Sequence, residues 1–399
     1  MIIVRPELVN DLNVGRWSLV YGRRKTGKTF LVSNHTDYDA FYFIKRDRTI
    51  ISKKNWMTIS YETMKELLRR DLDEGRTVVI DEFHRLGGDL LDELHMMEIK
   101  GYLFLISSTL HLSHQMISSS SPLLGKVNEV KVPLISFNDL LKGTEGSGKN
   151  YYEMLAFQKE PLVIAQDHVD YIDAIRGSVM TVPALVGEIF SEEDRKLSST
   201  YEGIIRAISV GKQRSGEISS YIFSRGLIGK DDPSLIQQYL NNLKDIGILE
   251  KIRIFGNNRY VYKHLSPLVR AFYHLDERYN ITDRHLTRKE LKKLTIELIP
   301  LIMEDVIRDA ITEATGTTVN IDHNPDGEVD GIFLRYKKPV AVIEVKWKKK
   351  ITKAELGRVE RKLRSHEVER KILVVPDRSN LQMEGIEIIE PEDIPMLEF

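Results

Sequence analysis

Gly22-Arg23-Arg24-Lys25-Thr26-Gly27-Lys28-Thr29 is the stretch on which the fold turns. It follows an apolar segment at 17–21 (WSLVY) and opens a segment of helical character from Lys28. The spacing is G-x-x-x-x-G-K-T. Glycines at the two ends let backbone N–H groups turn inward around a β-phosphate, the lysine reaches the β- and γ-phosphates, and the threonine hydroxyl ligates magnesium. All eight residues are therefore candidates for nucleotide binding, with Lys28 on the phosphates and Thr29 on Mg²⁺.

A second strand end completes the site. The run at 78–80 (VVI) leads into Asp81-Glu82. Asp81 is expected to hold the magnesium shell and Glu82 to orient and deprotonate the attacking water, as the catalytic base. Ser107 and Ser108 end the next apolar run, and Ser107 is a candidate contact to the γ-phosphate. Short apolar strands at 17–21, 41–43, 77–80 and 102–106, with a helix at 64–73, predict a parallel α/β sheet.

The stretch 143–150 (GTEGSGKN) predicts the edge of this first domain, placed at 1–142. Residues 143–192 read as a helical lid. From 193 to 280 the pattern changes to three helices and a hairpin, the layout of a winged helix. Asp232-Pro233 opens the third helix, since Asp caps and Pro is tolerated in the first turn. Gly256-Asn257-Asn258 supplies the turn between the strands. The third helix offers Gln237, Gln238, Asn241 and Asn242 for base edges. Arg253, Arg259 and Lys263 of the hairpin are placed to meet phosphates.

The last part, 281–399, carries a long helix near 294–315 with Pro300 inside it, which predicts a kink or break. Strands at 317–321, 331–336 and 340–347, a helix at 353–366 and two further strands follow. Asp330 begins one strand and Glu344-x-Lys346 lies on its partner. Side chains alternate along a strand, so Glu344 and Lys346 share a face. Two carboxylates hold a hard divalent cation while the ammonium orients or activates water. Asp330 and Glu344 are thus candidate metal ligands and Lys346 a candidate catalytic residue. Lys348, Lys349, Lys350, Lys353, Arg361 and Lys362 lie close in sequence and suit a phosphate backbone.

Composition narrows the class. The chain has 399 residues, 42% hydrophobic and 29% charged, which suits a multidomain globular protein. Fifty-eight Lys and Arg against 59 Asp and Glu leave no global basic excess, so any nucleic-acid surface is local. The absence of cysteine excludes disulfides and thiolate metal sites and fits a cytoplasmic protein. No apolar run reaches the roughly 18 residues of a membrane span, and residues 1–12 do not read as a signal peptide.

Three motifs, YGRRKTGKT, VVIDEFHRL and SPLLGK, together with SPLVRAFYHLDERY at 266–279, resemble the archaeal AAA+-type P-loop ATPases of the signal-transduction-related clade. That family joins an ATPase core to a winged helix and often to a nuclease-like domain. The D…ExK pattern and its strand order resemble the PD-(D/E)xK nuclease fold, a resemblance that implies Glu304, on the preceding helix, as a further acidic metal ligand beside Asp330 and Glu344. The resemblance implies an α/β architecture in three parts: a P-loop parallel sheet with helical lid, a winged helix and a PD-(D/E)xK-like domain. It implies ATP and Mg²⁺ as cofactors, ATP hydrolysis and a Mg²⁺-dependent deoxyribonuclease. It implies ATP or ADP, DNA, a protein partner and other copies of the chain as partners. Three positions depart from the family pattern: VRPELVNDL stands at the nucleotide clamp, Lys126 replaces an arginine, and Thr181-Val182-Pro183 is the nearest match to the lid Gly-x-Pro. A nucleotide-dependent switch that binds protein or DNA without nuclease chemistry is the rival reading.

Overall fold

The computed structural model describes residues 2–110, 113, 123–168, 170–193, 195–322 and 328–399. Ser121 and Pro122 of the SPLLGK motif lie outside the described residues.

The first sheet is built from β1 (Trp17–Tyr21), β2 (Ala40–Ile44), β3 (Ile50–Ser52), β4 (Met57–Ile59), β5 (Thr77–Asp81), β6 (Tyr102–Ser107) and β7 (Asn128–Lys131). Helices α1 (Pro6–Leu12), α2 (Lys28–His35), α3 (Tyr61–Asp73) and α4 (Gly88–Met96) accompany it. Strand order is β4-β3-β2-β5-β6-β1-β7. The pairs from β2 to β7 are parallel, and β3 and β4 add an antiparallel hairpin at one edge. β1 is buried along its whole length, and β5 and β6 nearly so. That is why they read as continuous apolar runs and not as alternating ones. Because β6 lies between β1 and β5, the loops after β1 and β5 open at one edge of the sheet with Ser107 between them. The β3–β4 hairpin and β7 escape the sequence reading. They are three or four residues long, too short for either periodicity to register.

The lid comprises α5 (Phe137–Gly143), α6 (Lys149–Gln158), α7 (Pro161–Ala165) and α8 (Tyr171–Glu192). Asp170 caps α8, accepting from the N–H groups of Ile172 and Asp173. Then come α9 (Ser199–Ser209), α10 (Ser215–Phe223) and α11 (Gln237–Asp245), followed by the strands β8 (Leu249–Ile254) and β9 (Tyr260–His264). The third helix begins with a 3₁₀ turn at Pro233–Ile236, where Asp232 caps the Ser234 N–H.

The C-terminal part contains α12 (Pro267–Tyr279), α13 (Arg288–Thr295), α14 (Leu298–Thr315), β10 (Thr318–Ile321), β11 (Gly331–Arg335), β12 (Lys338–Val345), α15 (Lys353–Arg364), β13 (Arg370–Val374) and β14 (Glu387–Ile389). The long helix expected near 294–315 is two helices. The break falls at residues 296–297, and Pro300 sits in the first turn of α14, where its missing N–H has no intrahelical partner to lose.

The hairpin and the C-terminal strands form one sheet, β14-β13-β12-β11-β10-β8-β9. β8 runs parallel to β10, with Arg253 opposite Asn320 and Ile254 opposite Ile321. The Phe255 N–H extends the ladder to the Ile321 carbonyl at 2.9 Å. The sequence reading treats these as separate domains; the free edge of β8 joins them. One apolar core continues from the lid through α9–α12 into α14 and β12.

A buried ion cluster locks this junction. Asp305 on α14 accepts from Lys263 of β9, from Arg270 of α12 and from Arg308 one turn on, the last at 2.8 Å. Burial opposes its ionisation, but the three cations outweigh burial and hold its carboxyl well below the usual range. Lys263, expected to meet phosphate, is therefore largely covered and committed to Asp305. Asp305→Ala leaves three cations without their anion and is expected to cost about 3–5 kcal/mol of stability. Urea unfolding measures it; a midpoint equal to the parent's would show that water satisfies the cations equally well.

Candidate functional site

The phosphate loop is shaped by its glycines. Gly27 has φ +89° at the start of α2, a conformation that favours glycine. A Cβ on Gly22 would lie 2.2 Å from the Val132 carbonyl oxygen. Lys28 donates to the carbonyls of Gly22 and Arg23 at 3.0 and 2.9 Å. Burial lowers its pKa to about 8, against the opposing pull of Glu82 and Asp81.

The Thr29 hydroxyl donates to Asp81 Oδ2 at 2.8 Å, so the two residues named for magnesium come together. Asp81 Oδ1 is buried with no hydrogen-bond partner. Burial raises the Asp81 pKa to about 6, resisted by the Thr29 hydrogen bond. A hydroxyl, a carboxylate and an orphaned oxygen fit a hard cation that takes its remaining ligands from phosphates and water.

Glu82 sits in the left-handed region at φ 59°, uncommon for a non-glycine residue and a frequent mark of a functional position. Ser108 donates to Glu82 Oε2 at 2.6 Å. Ser107, the candidate γ-phosphate contact, lies 3.2 Å from His84 Nδ1 and 3.0 Å from the Thr109 hydroxyl.

The lid adds acids that the sequence reading missed. Glu192, at the end of α8, accepts from Arg24, Arg46, Arg85 and Ser108. Burial opposes its ionisation, but the hydrogen bonds from His84 and Arg85 prevail and hold the carboxyl well below its ordinary range. Arg24 also reaches Glu188 at 2.6 Å, and Arg23 reaches buried Glu160 at 2.7 Å. The side chains of Arg23 and Arg24 thus bind the lid, while their backbone remains in the phosphate loop. Lys25 lies on the same loop at φ 66°.

Beside the loop lies an apolar slot of about 400 Å³ between Ile2 and Ile3, Phe30 and Leu31 of α2, and Pro161 and Ile164 of α7. Its size and lining suit a planar base. Pro161 lines the slot; Pro183, the expected lid proline, lies inside α8. The local sequence signal for Pro161 is a proline in the first turn of a helix. Lys126, the lysine of the SPLLGK motif, donates to the carbonyls of Leu94, His95 and Met97 at the end of α4.

A second group converges in the C-terminal sheet. The β11–β12 register sets Asp330 opposite Glu344, and Asp330 Oδ2 accepts from the Val345 N–H at 2.7 Å. Lys346 donates to Glu344 Oε1 at 2.6 Å, and Lys362 of α15 to the same oxygen at 3.1 Å. Glu344 Oε2 is buried without a partner. Glu304, Glu344, Lys346 and Lys362 share one cavity of about 270 Å³. Burial raises the Glu304 pKa to about 8, with the Asp330 charge second, and raises Asp330 to about 6, with Glu344 second. Three crowded carboxyls with an orphaned oxygen and an adjacent ammonium fit a divalent cation site.

The nucleic-acid candidates divide. Arg259 and Gln237 line a concavity of about 570 Å³ with Arg214, Lys251 and Tyr260, between the start of α10 and the hairpin. Asn241 is exposed on α11. Gln238 donates to Asn242, which is buried against the Tyr201 hydroxyl. Arg253 folds onto its own turn, bonding Asn257 and Asn258.

No protein-family model and no curated protein matches this chain. Among solved structures, a Walker-type ATPase of Pyrococcus abyssi is similar over 68% of this chain and 96% of its own, at 20% identity and TM-score 0.50. The ORC2 protein of Aeropyrum pernix, in ADPNP–ADP complexes, matches 75% of this chain and 91% of its own at 12% identity and TM-score 0.35. The ORC1 protein of that organism in complex with DNA matches 70% and 94% at 13% identity and TM-score 0.30. The first likeness is one of fold: this chain is built as Walker-type P-loop ATPases are. Among the described residues, no helix is long and apolar enough to cross a membrane.

The raised carboxyls give the C-terminal site a pH signature. Folded Glu304 and Asp330 keep protons that the unfolded chain has already lost above about pH 4. Without metal, their contribution to stability falls as pH rises toward 8. Mn²⁺ must displace those protons, so its affinity is expected to rise between pH 6 and 8.5. Calorimetry in buffers of different ionisation enthalpy reads the protons released. Glu304→Gln is expected to remove the upper part of the dependence; an unchanged profile would exclude Glu304 as a ligand.

Proposed function

We propose that this protein binds and hydrolyses ATP at residues 22–29, and that its C-terminal site cleaves phosphodiester bonds in DNA under control of the nucleotide. The observation that carries the nuclease reading is the convergence of Glu304, Asp330, Glu344 and Lys346 from a helix and two paired strands. The ATP reading rests on Lys28, Thr29, Asp81 and Glu82 gathered at one sheet edge.

In the ATP site, Lys28 neutralises the β- and γ-phosphates and Glu82 takes the proton of a water that attacks the γ-phosphorus, yielding ADP and phosphate. Thr29 and Asp81 would hold Mg²⁺, which offsets charge on the leaving phosphates. In the second site, Glu304, Asp330 and Glu344 would hold a divalent cation, which supplies Lewis acidity to the scissile phosphate. Lys346 positions the attacking water. Arg259, Gln237 and Asn241 engage DNA from the winged-helix part, with the protein working in the cytoplasm.

A continuous path supports the coupling. Lys28 donates to the Arg23 carbonyl, and the Arg23 side chain holds Glu160. Neighbouring Lys159 pairs with Asp309 of α14 at 3.2 Å. On the same lid segment, Glu153 accepts from Trp347 at 3.0 Å, one residue after Lys346. Lid movement on nucleotide binding therefore acts directly on the strand end that carries the lysine. The inward set of Lys126 favours a slow switch over a ring motor, because that side chain is occupied with its own subunit.

Lys28→Ala is expected to abolish most nucleotide affinity. Glu82→Gln keeps binding and lowers turnover by about 10²–10⁴-fold. Calorimetry and phosphate release measure the two; parental turnover in Glu82→Gln would refute the assignment of the base.

For the second site, Lys346→Ala is expected to retain Mn²⁺ but lose cleavage, while Glu344→Ala loses both. Labelled single-stranded and duplex DNA over a metal series provides the assay. Cleavage surviving in both variants would point to a contaminant, and a parent that binds no metal would leave the domain as a docking module.

A further inference from the structure

Arg46 apart, the edge hairpin of the first sheet takes part in neither site. Residues 45–56 (KRDRTIISKKNW) hold five Lys and Arg against one acid, in a chain whose total charges nearly balance. The turn between β2 and β3 is closed by Lys45 and Thr49, with Asp47 accepting from the Thr49 N–H. The turn between β3 and β4 ends at Trp56, held at φ 55°. Trp56 is 75% exposed, and Met57 beside it 58%. The other two tryptophans, Trp17 and Trp347, are 1% and 3% exposed. A tryptophan that gains nothing from burial and sits in a strained turn has no part in stabilising this fold.

The cations around it divide by role. Lys53 packs over the rings of Tyr38 and Phe41, at 5.4 and 4.5 Å from their centroids, and fixes the turn to the body of the sheet. Arg46 pairs with Glu192 at 3.2 Å. Lys45, Arg48 and Lys54 are exposed. The two turns lie at opposite ends of the hairpin, about 13 Å apart at the rise of a strand, with the free edge of β4 between them.

We propose that this hairpin is a contact site for single-stranded nucleic acid, in which a base stacks on Trp56 and the backbone runs along β4 past Lys54 toward Lys45 and Arg48. Protein-docking surfaces are depleted in lysine, whereas an exposed indole set among cations offers what a single strand presents, a free base face and a phosphate chain. A duplex keeps its base faces stacked and cannot use the indole in this way. The strand would also end beside Arg46, so its binding is felt at Glu192 and the lid. The site is separate from the winged-helix concavity and from the C-terminal cavity, and stands without either.

The test uses the full-length protein in EDTA, with oligothymidylate as the probe. Trp56 is the exposed fluorophore, so the oligonucleotide is expected to quench the tryptophan emission of the parent. The quenching should vanish in Trp56→Ala, with affinity by fluorescence anisotropy reduced about tenfold. Lys54→Glu combined with Arg48→Glu should weaken binding and flatten its salt dependence. Arg253→Ala with Arg259→Ala should keep the quenching, which separates this site from the hairpin of β8 and β9. Trp56→Ala with parental affinity would overturn the proposal. So would emission changed by phosphatidylserine vesicles but not by oligothymidylate, which would make the hairpin a lipid contact, and so would a parent that responds to neither.

Discussion

Asp305 is held by cations from three segments: Lys263 of the β9 strand, Arg270 of α12 and Arg308 of its own helix. A carboxylate and three cations taken out of water are tolerable only together, since each is stranded without the others. The cluster therefore fixes the hairpin, the linker helix and α14 as one body. The neighbouring residue on α14 is Glu304, so the same constraint sets where that acid meets Asp330 and Glu344. The β8–β10 ladder runs alongside and closes the joint with backbone hydrogen bonds.

That arrangement changes what the middle part of the chain can do. A hairpin free to move against DNA would present both its edges and its basic side chains. Here one edge is spent on β10, Lys263 is largely covered and Arg253 is folded onto its turn. What remains open is the concavity lined by Arg214, Lys251, Arg259 and Tyr260. That concavity and the C-terminal cavity belong to one sheet, so the β8–β10 pairing fixes their relative position.

The lid is the other organising element. It faces the phosphate loop through Glu160, Glu188 and Glu192 and faces the C-terminal domain through Glu153, Lys159 and Asn138, whose amide donates to the Ala310 carbonyl. Most of these contacts are ion pairs and charge-assisted hydrogen bonds at partly buried positions, shorter and stronger than neutral ones. Glu192 gathers Arg24, Arg46, Arg85 and Ser108 beside Glu82. A negative group already sits among the cations that surround the candidate base.

The phosphate loop, Asp81-Glu82 and the Asp330, Glu344, Lys346 set were all legible in the sequence. Each is a local pattern: the loop needs its glycines at fixed offsets, a strand end needs an apolar run before it, and alternation on one strand places Glu344 and Lys346 on a common face. The lid acids were not legible, because a glutamate on a helix has no sequence mark that says which arginine it will meet across more than a hundred residues. Pro161 carries no sequence mark of its place either, since only packing shows which proline faces the slot. The tertiary structure alone decided that β8 would pair with β10, that Lys263 would be spent on Asp305, and that Lys126 would turn inward. Local chemistry is written in spacing along the chain, whereas the partners of a buried charge or a free strand edge are chosen by whichever distant segment can satisfy them without water.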